Sequence, residues 1–576
     1  MEASRLQTER RMAASAYPLK ARWCSGRFPW LAQYPSDVPP GLDVPRLRTE
    51  QLLLCAHERY ADRIALRYYR THWTYGELLR RVRQAAAHLA EMGIESGDRA
   101  LVVLPNCPDF VVLFFALHWL GAEIVPANPL LSGKDLIHLA ELAAPSLVIG
   151  LDVRLKPVLQ LLRQRRLPRL IVSSLAPHLP VYLRWPYRLR ALRSNLAQRL
   201  NGTEVVLSGR LYRHDRPALD APVSRDPDAP AVLQPTGGTT GTPKVAVLRH
   251  SNLHANVAQL HAWCRLEAGK EVVLAVLPFF HVFGATVGLL SSIAGGATLL
   301  LQARFHPSRV WQVMHRWRPT VAPMVPFMFA ALCEEMRRRG RDLSGLRCGF
   351  SGASALPAGV KQEFQDRTGA AIFEGYGLSE ASPVTHSNPA ASNARTGSIG
   401  LPLPETEARI VDPHTGRTVL PAGQVGELLV RGPQIMAGYL NQPDETAQVL
   451  RDGWLHTGDL ARMDPDGFFY LVDRKKDMII SAGLNVYPAE VERVLEEHPQ
   501  VAECAVVGLP DRFYGEKVVA FVVPTQATRL DVRELKAFCQ DRMAGYKVPR
   551  EFQVCEELPR TFLGKLRRVE LRRRAA

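Results

Sequence analysis

The most constraining feature of this sequence is a regular alternation of two patterns that extends to about residue 400. Short apolar runs such as RALVVLP, AEIVPA, SLVIG and RLIVSS alternate with longer stretches such as ELLRRVRQAAAHLAEMG and DFVVLFFALHWLG. Short β-rich runs are typical of buried strands, and the longer stretches have helical periodicity. The alternation therefore predicts βαβ units, and with them an α/β fold of mainly parallel, helix-covered sheets.

Two further segments follow the alternating region. ARIVDPHTGRTVLPAGQVGELLVRG has strand, turn and strand character and predicts a small antiparallel subdomain. Beyond it, Val491, Val494 and Leu495 share one helical face, and the apolar runs ECAVVGLP and VVAFVVP follow as strands. We therefore predict a large domain over residues 1–473 and a small α+β domain over residues 474–576.

Composition places the chain among water-soluble globular proteins. Of its 576 residues, 47% are hydrophobic and 22% are charged. Residues 1–28 are predicted to be poorly ordered, and their beginning, MEASRLQTERRMAASAYPLKARWC, is too polar for a secretory signal, which favours a cytoplasmic protein. The nine cysteines show no CxxC pair and no metal-type spacing, so neither a disulfide framework nor a structural zinc is expected.

The formal net charge of +16 favours anionic partners. No zinc-finger, heptad or RNP signature supports nucleic acid, so nucleotides, CoA and acidic lipid surfaces are the better candidates. Between Asp152 and Glu204 the sequence contains no acidic residue, and basic residues alternate there with apolar ones. The pattern of residues 154–200 fits an amphipathic element on an anionic membrane, and equally a solvated basic face of an ordinary surface helix. The basic residues are Arg154, Lys156, Arg163, Arg165, Arg166, Arg169, Arg184, Arg188, Arg190, Arg193 and Arg199.

The 32 residues from Val272 to Ala303 contain no Asp, Glu, Lys or Arg. That length is enough to span a bilayer. Pro278, His281 and several glycines interrupt the run, however, and its pattern is that of a strand, a loop, a buried helix and a buried strand. We therefore expect this segment inside the globular domain.

QPTGGTTGTPK, residues 234–244, has the composition of a loop that wraps an anion. Its glycines allow backbone N–H groups close to phosphate oxygens, its threonines add donors, and Lys244 adds a charge. The loop is not a Walker A motif, because Lys244 does not directly follow the last glycine and no hydroxyl residue follows it. The predicted phosphate ligands are Thr236, Gly237, Gly238, Thr239, Thr240, Gly241 and Lys244.

Four more motifs follow in chain order: EGYGLSE, GWLHTGD, DRKKDMIISAGLNVYPAEVE and PRTFLGK. With the loop, they resemble the adenylate-forming superfamily of acyl-CoA synthetases, firefly luciferase and peptide-synthetase adenylation domains. The resemblance covers about residues 30–576, and WLAQYPSDVP, TGSIGLPLPETEARIVD and GYKVP look like the bacterial long-chain fatty acid–CoA ligases. It implies an enzyme that uses ATP and Mg²⁺ to join a carboxylic acid to AMP and then passes the acyl group to CoA.

The resemblance also implies roles for individual residues in the first reaction. The loop ending at Lys244 would hold the β- and γ-phosphates, Glu380 would hold Mg²⁺, and Ser379 would contact the α-phosphate where the family usually has Thr. Tyr376 would lie against adenine. Around it, Gly375 and Gly377 would allow the backbone close to the nucleotide, Asp459 and Arg474 would bind the ribose, and Lys565 would contact the carboxylate and α-phosphate. In PRTFLGK, Phe and Leu replace residues that are commonly small and polar, which puts the presentation of Lys565 in doubt.

For the second reaction the resemblance implies rotation of a mobile C-terminal domain. Lys476 matches the hinge position, and Gly483 would border the pantetheine tunnel of CoA.

The acid is expected to be a medium- to long-chain fatty acid. An enzyme for amino acids needs an anionic side chain for the ammonium group, and the run from Val272 to Ala303 has none. The resemblance implies a pocket wall formed by His281, which would gate the pocket or only satisfy a core hydrogen bond, with Phe283 and the small residues Gly352, Ala353 and Ser354. An aryl or short-chain acid, and delivery to a carrier protein instead of CoA, remain as alternatives. No oligomeric state is predicted.

Overall fold

The structure is a computed structural model, and its residues group into two compact units by packing. One unit comprises Met1–Ala394, Leu401–Glu407 and Arg431–Leu450, and the other comprises Arg395–Gly400, Ala408–Val430 and Arg451–Ala576. At residues 192 and 485 only the backbone is described. The residues that the structure describes are 28–44, 46–165, 167–192, 203–212, 218–224, 226–236, 244–389, 394–481, 484–511, 514–525, 530–560 and 566–575.

The helices follow the predicted alternation. A π-helical segment, Gly284–Leu290, precedes the short helix α9. In chain order the α-helices are α1 Thr49–Tyr60, α2 Tyr75–Glu91, α3 Pro108–Trp119, α4 Gly133–Ala143, α5 Leu155–Gln164, α6 Val181–Leu192, α7 Ser208–Leu211, α8 His250–Cys264, α9 Ser291–Ala294, α10 Pro307–Trp317, α11 Pro326–Arg339, α12 Ala358–Thr368, α13 Pro443–Val449, α14 Pro488–Glu496, α15 Val532–Arg542 and α16 Arg568–Ala575.

The strands are short and mostly buried. In chain order they are β1 Ile64–Tyr68, β2 Thr71–Thr74, β3 Arg99–Val103, β4 Glu123–Pro126, β5 Leu147–Leu151, β6 Arg169–Ser173, β7 Glu204–Leu207, β8 Pro230–Thr236, β9 Lys244–Arg249, β10 Val272–Ala275, β11 Thr298–Leu301, β12 Val321–Met324, β13 Cys348–Ser351, β14 Ala371–Gly377, β15 Val384–Ser387, β16 Leu401–Pro402, β17 Glu407–Val411, β18 Gly426–Arg431, β19 Gly438–Tyr439, β20 Leu450–Arg451, β21 Trp454–Met463, β22 Phe469–Arg474, β23 Ile479–Ser481, β24 Leu484–Val486, β25 Val501–Asp511, β26 Gly515–Pro524 and β27 Glu551–Val554.

Two mainly parallel sheets form the first unit. One has the strand order β16-β15-β14-β13-β12-β10-β11-β1-β2, and its central strands from β14 to β1 are parallel. The other has the order β19-β9-β8-β4-β3-β5-β6-β7 and is parallel from β8 to β7. The predicted α/β class with helix-covered parallel sheets is confirmed, because βαβ crossovers place helices over the faces of both sheets.

The helices of this unit are specified locally and by burial. At the start of α2, the Thr74 hydroxyl accepts a hydrogen bond from the Glu77 amide at 3.1 Å, and the Glu77 carboxylate accepts one from the Thr74 amide at 3.0 Å. Such a capping box stabilises a helix start by about 1 kcal/mol. By contrast, α3 is buried along its whole length, as expected for a helix that is apolar on all sides.

The charge-free run from Val272 to Ala303 forms β10, a turn, the π-helical segment, α9 and β11. This confirms the predicted strand, loop, buried helix and buried strand. Among the described residues, no helix combines the length and the apolar character that crossing a membrane requires. Gly284 lies where the π-helical segment passes the Leu277–Pro278 backbone. A Cβ built on Gly284 lies 2.1 Å from the Pro278 carbonyl oxygen, so only glycine fits there.

The second unit contains two small sheets. One includes β17, β18, β20, β21 and β22, in which β21 pairs antiparallel with both β18 and β22. The other has the order β24-β23-β26-β25, with β27 beside β26. Val491 and Leu495 on α14 are fully buried in its core. The strands of the predicted antiparallel subdomain, and the helices and strands of the predicted α+β C-terminal domain, are thus confirmed.

Packing places most of the antiparallel sheet in the second unit, although its place in the sequence predicts that it belongs to the large domain. Chain order and packing divide the molecule in different ways, and the boundary at residue 473 stays a prediction. Residues 1–27 of the segment that is predicted to be poorly ordered lie outside the described residues, whereas Phe28 is described and buried.

Gly284→Ala is expected to lower the free energy of unfolding by about 3 kcal/mol, because the new methyl group overlaps the Pro278 carbonyl and forces the backbone to move. Gly288→Ala is the matched control in the same segment. Its Cβ lies 3.4 Å from the Phe279 ring, an ordinary contact, so we expect a change within about 1 kcal/mol. Chemical denaturation of both variants checks this, and equal effects would contradict the account.

Candidate active site

The predicted anion-binding sequence connects two paired strands. β8 and β9 are antiparallel, and Thr236 and Lys244 are register partners at their ends. The Thr236 hydroxyl donates a hydrogen bond to the Lys244 carbonyl at 3.3 Å, so this hydroxyl is used inside the hairpin. Five of the predicted phosphate ligands lie in the connection, outside the described residues: Gly237, Gly238, Thr239, Thr240 and Gly241.

Lys244 belongs to a chain of polar contacts that the sequence analysis did not predict. Its ammonium pairs with the Glu445 carboxylate and lies 5.0 Å from the centre of the Tyr439 ring. The Tyr439 hydroxyl in turn donates a hydrogen bond to the Glu380 carboxylate at 2.8 Å. Burial, and then the Glu380 charge, raise the pKa of Tyr439, so its phenol keeps the proton that it donates. This chain of polar contacts therefore links the predicted phosphate-binding lysine to the predicted Mg²⁺ ligand.

Glu380 lies in a short 3₁₀ turn, Ser379–Ala381, directly after β14. Its carbonyl accepts a hydrogen bond from the Met436 amide at 2.8 Å, which fixes the turn. No cluster of three His, Cys, Asp or Glu side chains suited to a metal occurs among the described residues. Mg²⁺ is commonly held by one or two carboxylates together with substrate phosphates and water. The single half-buried carboxylate of Glu380, oriented by Tyr439, fits that kind of site.

Tyr376 is buried on β14, and β15 pairs antiparallel beside it. Its ring meets that of His386 with centroids 6.0 Å apart. Packing within the protein requires a glycine at position 377, because a Cβ on Gly377 would lie 2.0 Å from the Pro383 carbonyl oxygen. At Gly375 the nearest atom to such a Cβ is 3.4 Å away. Tight packing against β15 therefore accounts for Gly377 more directly than for Gly375.

Two of the predicted pocket residues, Gly352 and Phe283, lie together. A Cβ built on Gly352 would be 3.1 Å from the half-buried Phe283 ring and 3.6 Å from the Gly375 carbonyl oxygen, so this glycine separates the predicted acyl and nucleotide regions. Ala353 adopts a left-handed backbone conformation with a φ of 75°. Ser354 is exposed.

His281 is half-buried in the turn before the π-helical segment. Its amide donates to the Pro278 carbonyl at 3.1 Å, and its carbonyl accepts from the Ala285 amide at 2.9 Å. These bonds fix its backbone at the entry to the helix. Short π-helical segments occur frequently at functional sites.

Asn106 also holds this segment, although it belongs to none of the sequence motifs. Its buried side-chain amide donates to the Ala275 carbonyl at 3.0 Å and to the Leu277 carbonyl at 2.8 Å. Its side-chain oxygen accepts from the Phe279 amide at 2.8 Å. A buried asparagine that makes three such bonds fixes the course of the chain from β10 to His281. Its partners lie far along the sequence, so no local signal marks it.

In the second unit, Asp459 and Arg474 are register partners on β21 and β22. The Asp459 carboxylate is buried, and the Arg474 guanidinium lies 3.0 Å from it. The Asp459 amide donates to the Thr457 hydroxyl at 3.1 Å, which fixes the strand locally. The structure thus brings together the two residues that are predicted to bind the ribose.

Lys476 lies in the turn between β22 and β23, consistent with a place where the backbone can change direction. Burial, and then the neighbouring Arg474 guanidinium, lower the pKa of Lys476 to about 8. Gly483 and Lys565 lie outside the described residues. The residues around Gly483 are paired as Ser481 and Leu484, and Arg560 pairs with Leu566 beside Lys565. The hinge at Lys476 stays a prediction.

The two mainly parallel sheets, the Gly- and Thr-rich sequence after β8 and the carboxylate after β14 are the features expected of an adenylate-forming enzyme. The chain belongs to the AMP-binding enzyme family: the model of that family matches residues 55–440, and the model of the AMP-binding enzyme C-terminal domain matches residues 490–565. This confirms the resemblance predicted from the sequence motifs.

Individual relatives extend over nearly the whole chain. A long-chain-fatty-acid–CoA ligase of Bacillus subtilis (strain 168) is 38% identical over 545 residues, 94% of this chain and 97% of the relative. A feruloyl-CoA synthase of Amycolatopsis sp is 37% identical over 517 residues, 88% of this chain and 95% of the relative.

Solved structures show the same fold. The o-succinylbenzoate CoA synthetase of Bacillus subtilis, in complex with its acyl-adenylate intermediate, matches with a TM-score of 0.75 and 28% identity, covering 90% of this chain and 97% of the other. The same synthetase in complex with ATP and a magnesium ion matches with a TM-score of 0.73.

His386, which packs beside Tyr376, should make stability depend on pH. Burial lowers the pKa of His386 to about 3, whereas an unfolded histidine titrates near about 6.5. Between these pH values the unfolded chain binds a proton at this histidine and the folded chain does not. The contribution of neutral His386 to the free energy of unfolding is therefore complete above about pH 6.5 and is lost as the pH falls. Relative to His386→Gln, the wild type should lose about 2 kcal/mol of unfolding free energy between about pH 7.5 and about pH 5. Denaturant titrations at both pH values measure this difference, and a constant difference would contradict the assigned pKa.

Proposed function

We propose that this chain is an ATP-dependent fatty acid–CoA ligase that forms AMP. It activates a medium- to long-chain fatty acid as acyl-AMP, releases pyrophosphate and then transfers the acyl group to the thiol of CoA. The observation that carries the proposal is the contact region at Gly352, which lies between Phe283 of the charge-free segment and the carbonyl of Gly375 on β14. An apolar wall and the proposed nucleotide-binding strand are neighbours there, as a reaction between an acyl carboxylate and a nucleotide requires.

The first step needs control of negative charge more than a covalent catalyst. We assign Lys244 and the connection after Thr236 to the β- and γ-phosphates, and Ser379 to the α-phosphate. Glu380 would hold Mg²⁺, which when bound neutralises charge on the phosphates. The Tyr439 hydroxyl supports this assignment, because it keeps one Glu380 oxygen in place without adding a competing cation.

Glu445 must be displaced in part when the nucleotide binds. Its carboxylate pairs with Lys244 in this structure, and polyanionic phosphates are stronger partners for the ammonium. The ion pair keeps Lys244 beside the Tyr439 ring until the exchange. Lys244 is therefore oriented before the substrate arrives.

Nucleoside recognition is assigned to Tyr376 for adenine and to Asp459 and Arg474 for the ribose. A carboxylate accepts from both ribose hydroxyls at once. The guanidinium of Arg474 lies 3.0 Å from the Asp459 carboxylate and holds it in place. Gly375 and Gly377 remain assigned to the close passage of the backbone beside the nucleotide.

In the second step the thiol has to approach the acyl carbonyl. We assign Lys565 to the carboxylate and α-phosphate during adenylation, and rotation of the C-terminal domain about Lys476 would then withdraw it. Gly483 would border the passage for pantetheine.

The acid class follows from the wall of the proposed pocket. Phe279 and Val282 are buried, and no charged residue occurs between Val272 and Ala303 to bind a second ionic group of the substrate. His281 would gate the entrance, with Ala353 and Ser354 beside the acyl-adenylate. The similarity to a feruloyl-CoA synthase favours an aryl acid as the second candidate. A carrier protein in place of CoA is a further alternative acceptor.

We place the enzyme in the cytoplasm, with peripheral contact to the inner face of the membrane through residues 154–200, and without a nucleic-acid partner. Fatty acids concentrate in bilayers, because each buried CH₂ group contributes about 0.8 kcal/mol. An enzyme for such acids benefits from contact with that surface.

Thioester formation from a panel of acids tests the proposed function. The panel contains acetate, octanoate, palmitate, oleate, ferulate, benzoate and amino acids, each with ATP, Mg²⁺ and CoA, and with CoA omitted. We expect the highest kcat/KM for the longer fatty acids and no thioester without CoA in the mixture. A maximum at ferulate would replace the substrate class with the aryl alternative, and turnover with amino acids alone would overturn the proposal.

Tyr439→Phe tests the orientation of Glu380. Removing a hydrogen bond to a charged group costs about 2 kcal/mol, so kcat/KM should fall about thirtyfold and the half-saturating Mg²⁺ concentration should rise. Glu380→Gln should lower kcat by about a thousandfold. Initial rates over a Mg²⁺ titration measure both effects.

The matched control is Tyr470→Phe, which removes a 3.1 Å hydrogen bond from another tyrosine to the Asp464 carboxylate. This variant should keep the wild-type Mg²⁺ dependence. If Tyr439→Phe has the same Mg²⁺ dependence as this control, Tyr439 does not orient a metal ligand.

A further inference from the structure

Helix α6 exposes its large apolar side chains to solvent. The exposed fractions are 66% for Val181, 76% for Tyr182, 71% for Trp185 and 54% for Leu189. Four exposed hydrophobic residues on one helix form a continuous patch rather than the scattered apolar residues of an ordinary surface. We call these four residues the apolar face of α6.

The apolar face lies opposite the side that packs on the protein. At about 100° per residue, its four members fall within an arc of about 100°. On the opposite side, Ala191 is buried and the Tyr187 hydroxyl donates to the Asp152 carboxylate. The Leu175 amide donates to the same hydroxyl at 3.1 Å. The helix is thus anchored from one side, and the anchor directs the apolar face outwards.

Arginines border the apolar face. Arg188 and Arg190 are exposed on its two sides, and Arg184 near its start donates to the Leu179 carbonyl at 2.8 Å. No acidic residue occurs between Asp152 and Glu204, so α6 carries no acidic side chain of its own. A basic helix with Trp, Tyr and Leu on one face has the composition of an interfacial membrane helix.

Other basic residues of the same region have partners within the protein. Arg165 pairs with Glu141, and Arg154 donates to the Pro129 carbonyl at 3.4 Å. The apolar residues of α5, among them Leu161 and Leu162, are buried in the core of the first unit. For α5 the structure therefore favours an ordinary surface helix, and it concentrates the unusual exposure on α6.

We propose that α6 docks the protein onto a bilayer that contains anionic lipids. Trp185 and Leu189 enter the boundary between headgroups and acyl chains, while Arg188 and Arg190 contact lipid phosphates. Only the purpose of the docking rests on the proposed function: docking would bring the enzyme to a substrate that dissolves in the bilayer.

Charge selects the bilayer over a second copy of the chain. Two copies that met through α6 would bring the arginines of both helices together, and like charges at an interface oppose association. An anionic lipid surface attracts the same arginines, and this attraction falls as salt screens it.

Sedimentation with phosphatidylcholine vesicles, with and without phosphatidylglycerol, tests the docking on the full-length chain. We expect binding only with the anionic lipid and a loss of binding in high salt. Leu189→Ala should weaken binding several-fold and Trp185→Ala by about tenfold. The matched control is Leu130→Ala, because Leu130 is exposed to 55%, about the same as the 54% of Leu189.

The charge contribution has its own pair of variants. The double variant Arg188→Ser and Arg190→Ser should bind anionic vesicles at least tenfold more weakly, and Arg341→Ser, at an exposed arginine outside α6, should bind as the wild type. Equal binding by the α6 variants and their controls would overturn the proposal. So would a change in the oligomeric state of Trp185→Ala with unchanged vesicle binding, which would assign the face to a second copy.

Turnover of detergent-dispersed acid separates this proposal from the proposed function. We expect Trp185→Ala to keep wild-type kcat without vesicles, because α6 contributes no residue to the assigned site. Wild-type protein that binds vesicles but forms no thioester would overturn the enzymatic assignment and leave the docking intact.

Discussion

One tyrosine connects the two large sheets at the proposed site. The backbone of Tyr439 pairs with Ala246 on β9, and its hydroxyl donates to Glu380, which follows β14 of the other sheet. The same ring lies against the ammonium of Lys244. The proposed metal ligand and the proposed phosphate-binding lysine therefore contact one shared side chain, which is held by strand pairing at one end and by a charge-assisted hydrogen bond at the other.

The acyl side of the site depends on backbone packing in the same way. Asn106 fixes the chain between β10 and His281, and Gly284 allows the π-helical segment to pass the Pro278 carbonyl. Gly352 then leaves room for Phe283 beside β14. A carboxylate that entered along this proposed apolar wall would meet the proposed nucleotide-binding strand without a charged side chain of the segment from Val272 to Ala303 in its way. This arrangement is the physical reason for preferring a fatty acid over an amino acid.

Much of the fold could be predicted from the sequence because strand and helix periodicities are local properties. The alternation before residue 400 predicted the parallel sheets, and the apolar positions of α14 predicted its buried face. Tyr439 and Asn106 could not be found in that way, because each acts on residues that are distant along the chain, 59 positions away in the case of Glu380. The outward direction of α6 was equally hidden, since an alternation of Arg with Leu and Trp fits a buried or an exposed apolar face. The hydrogen bond from Tyr187 to Asp152 sets the direction of this face, and that contact can be seen only in the three-dimensional structure.

Transfer of ¹⁸O from the carboxylate of labelled palmitate tests the central claim most directly. If the carboxylate attacks the α-phosphate and CoA then attacks the acyl carbonyl, the AMP that is released retains one carboxylate oxygen. Mass spectrometry of the products should therefore find one ¹⁸O in AMP and none in pyrophosphate. Label in inorganic phosphate, together with formation of ADP, would mean that an acyl phosphate is formed instead, and would contradict the adenylate-forming account of this site.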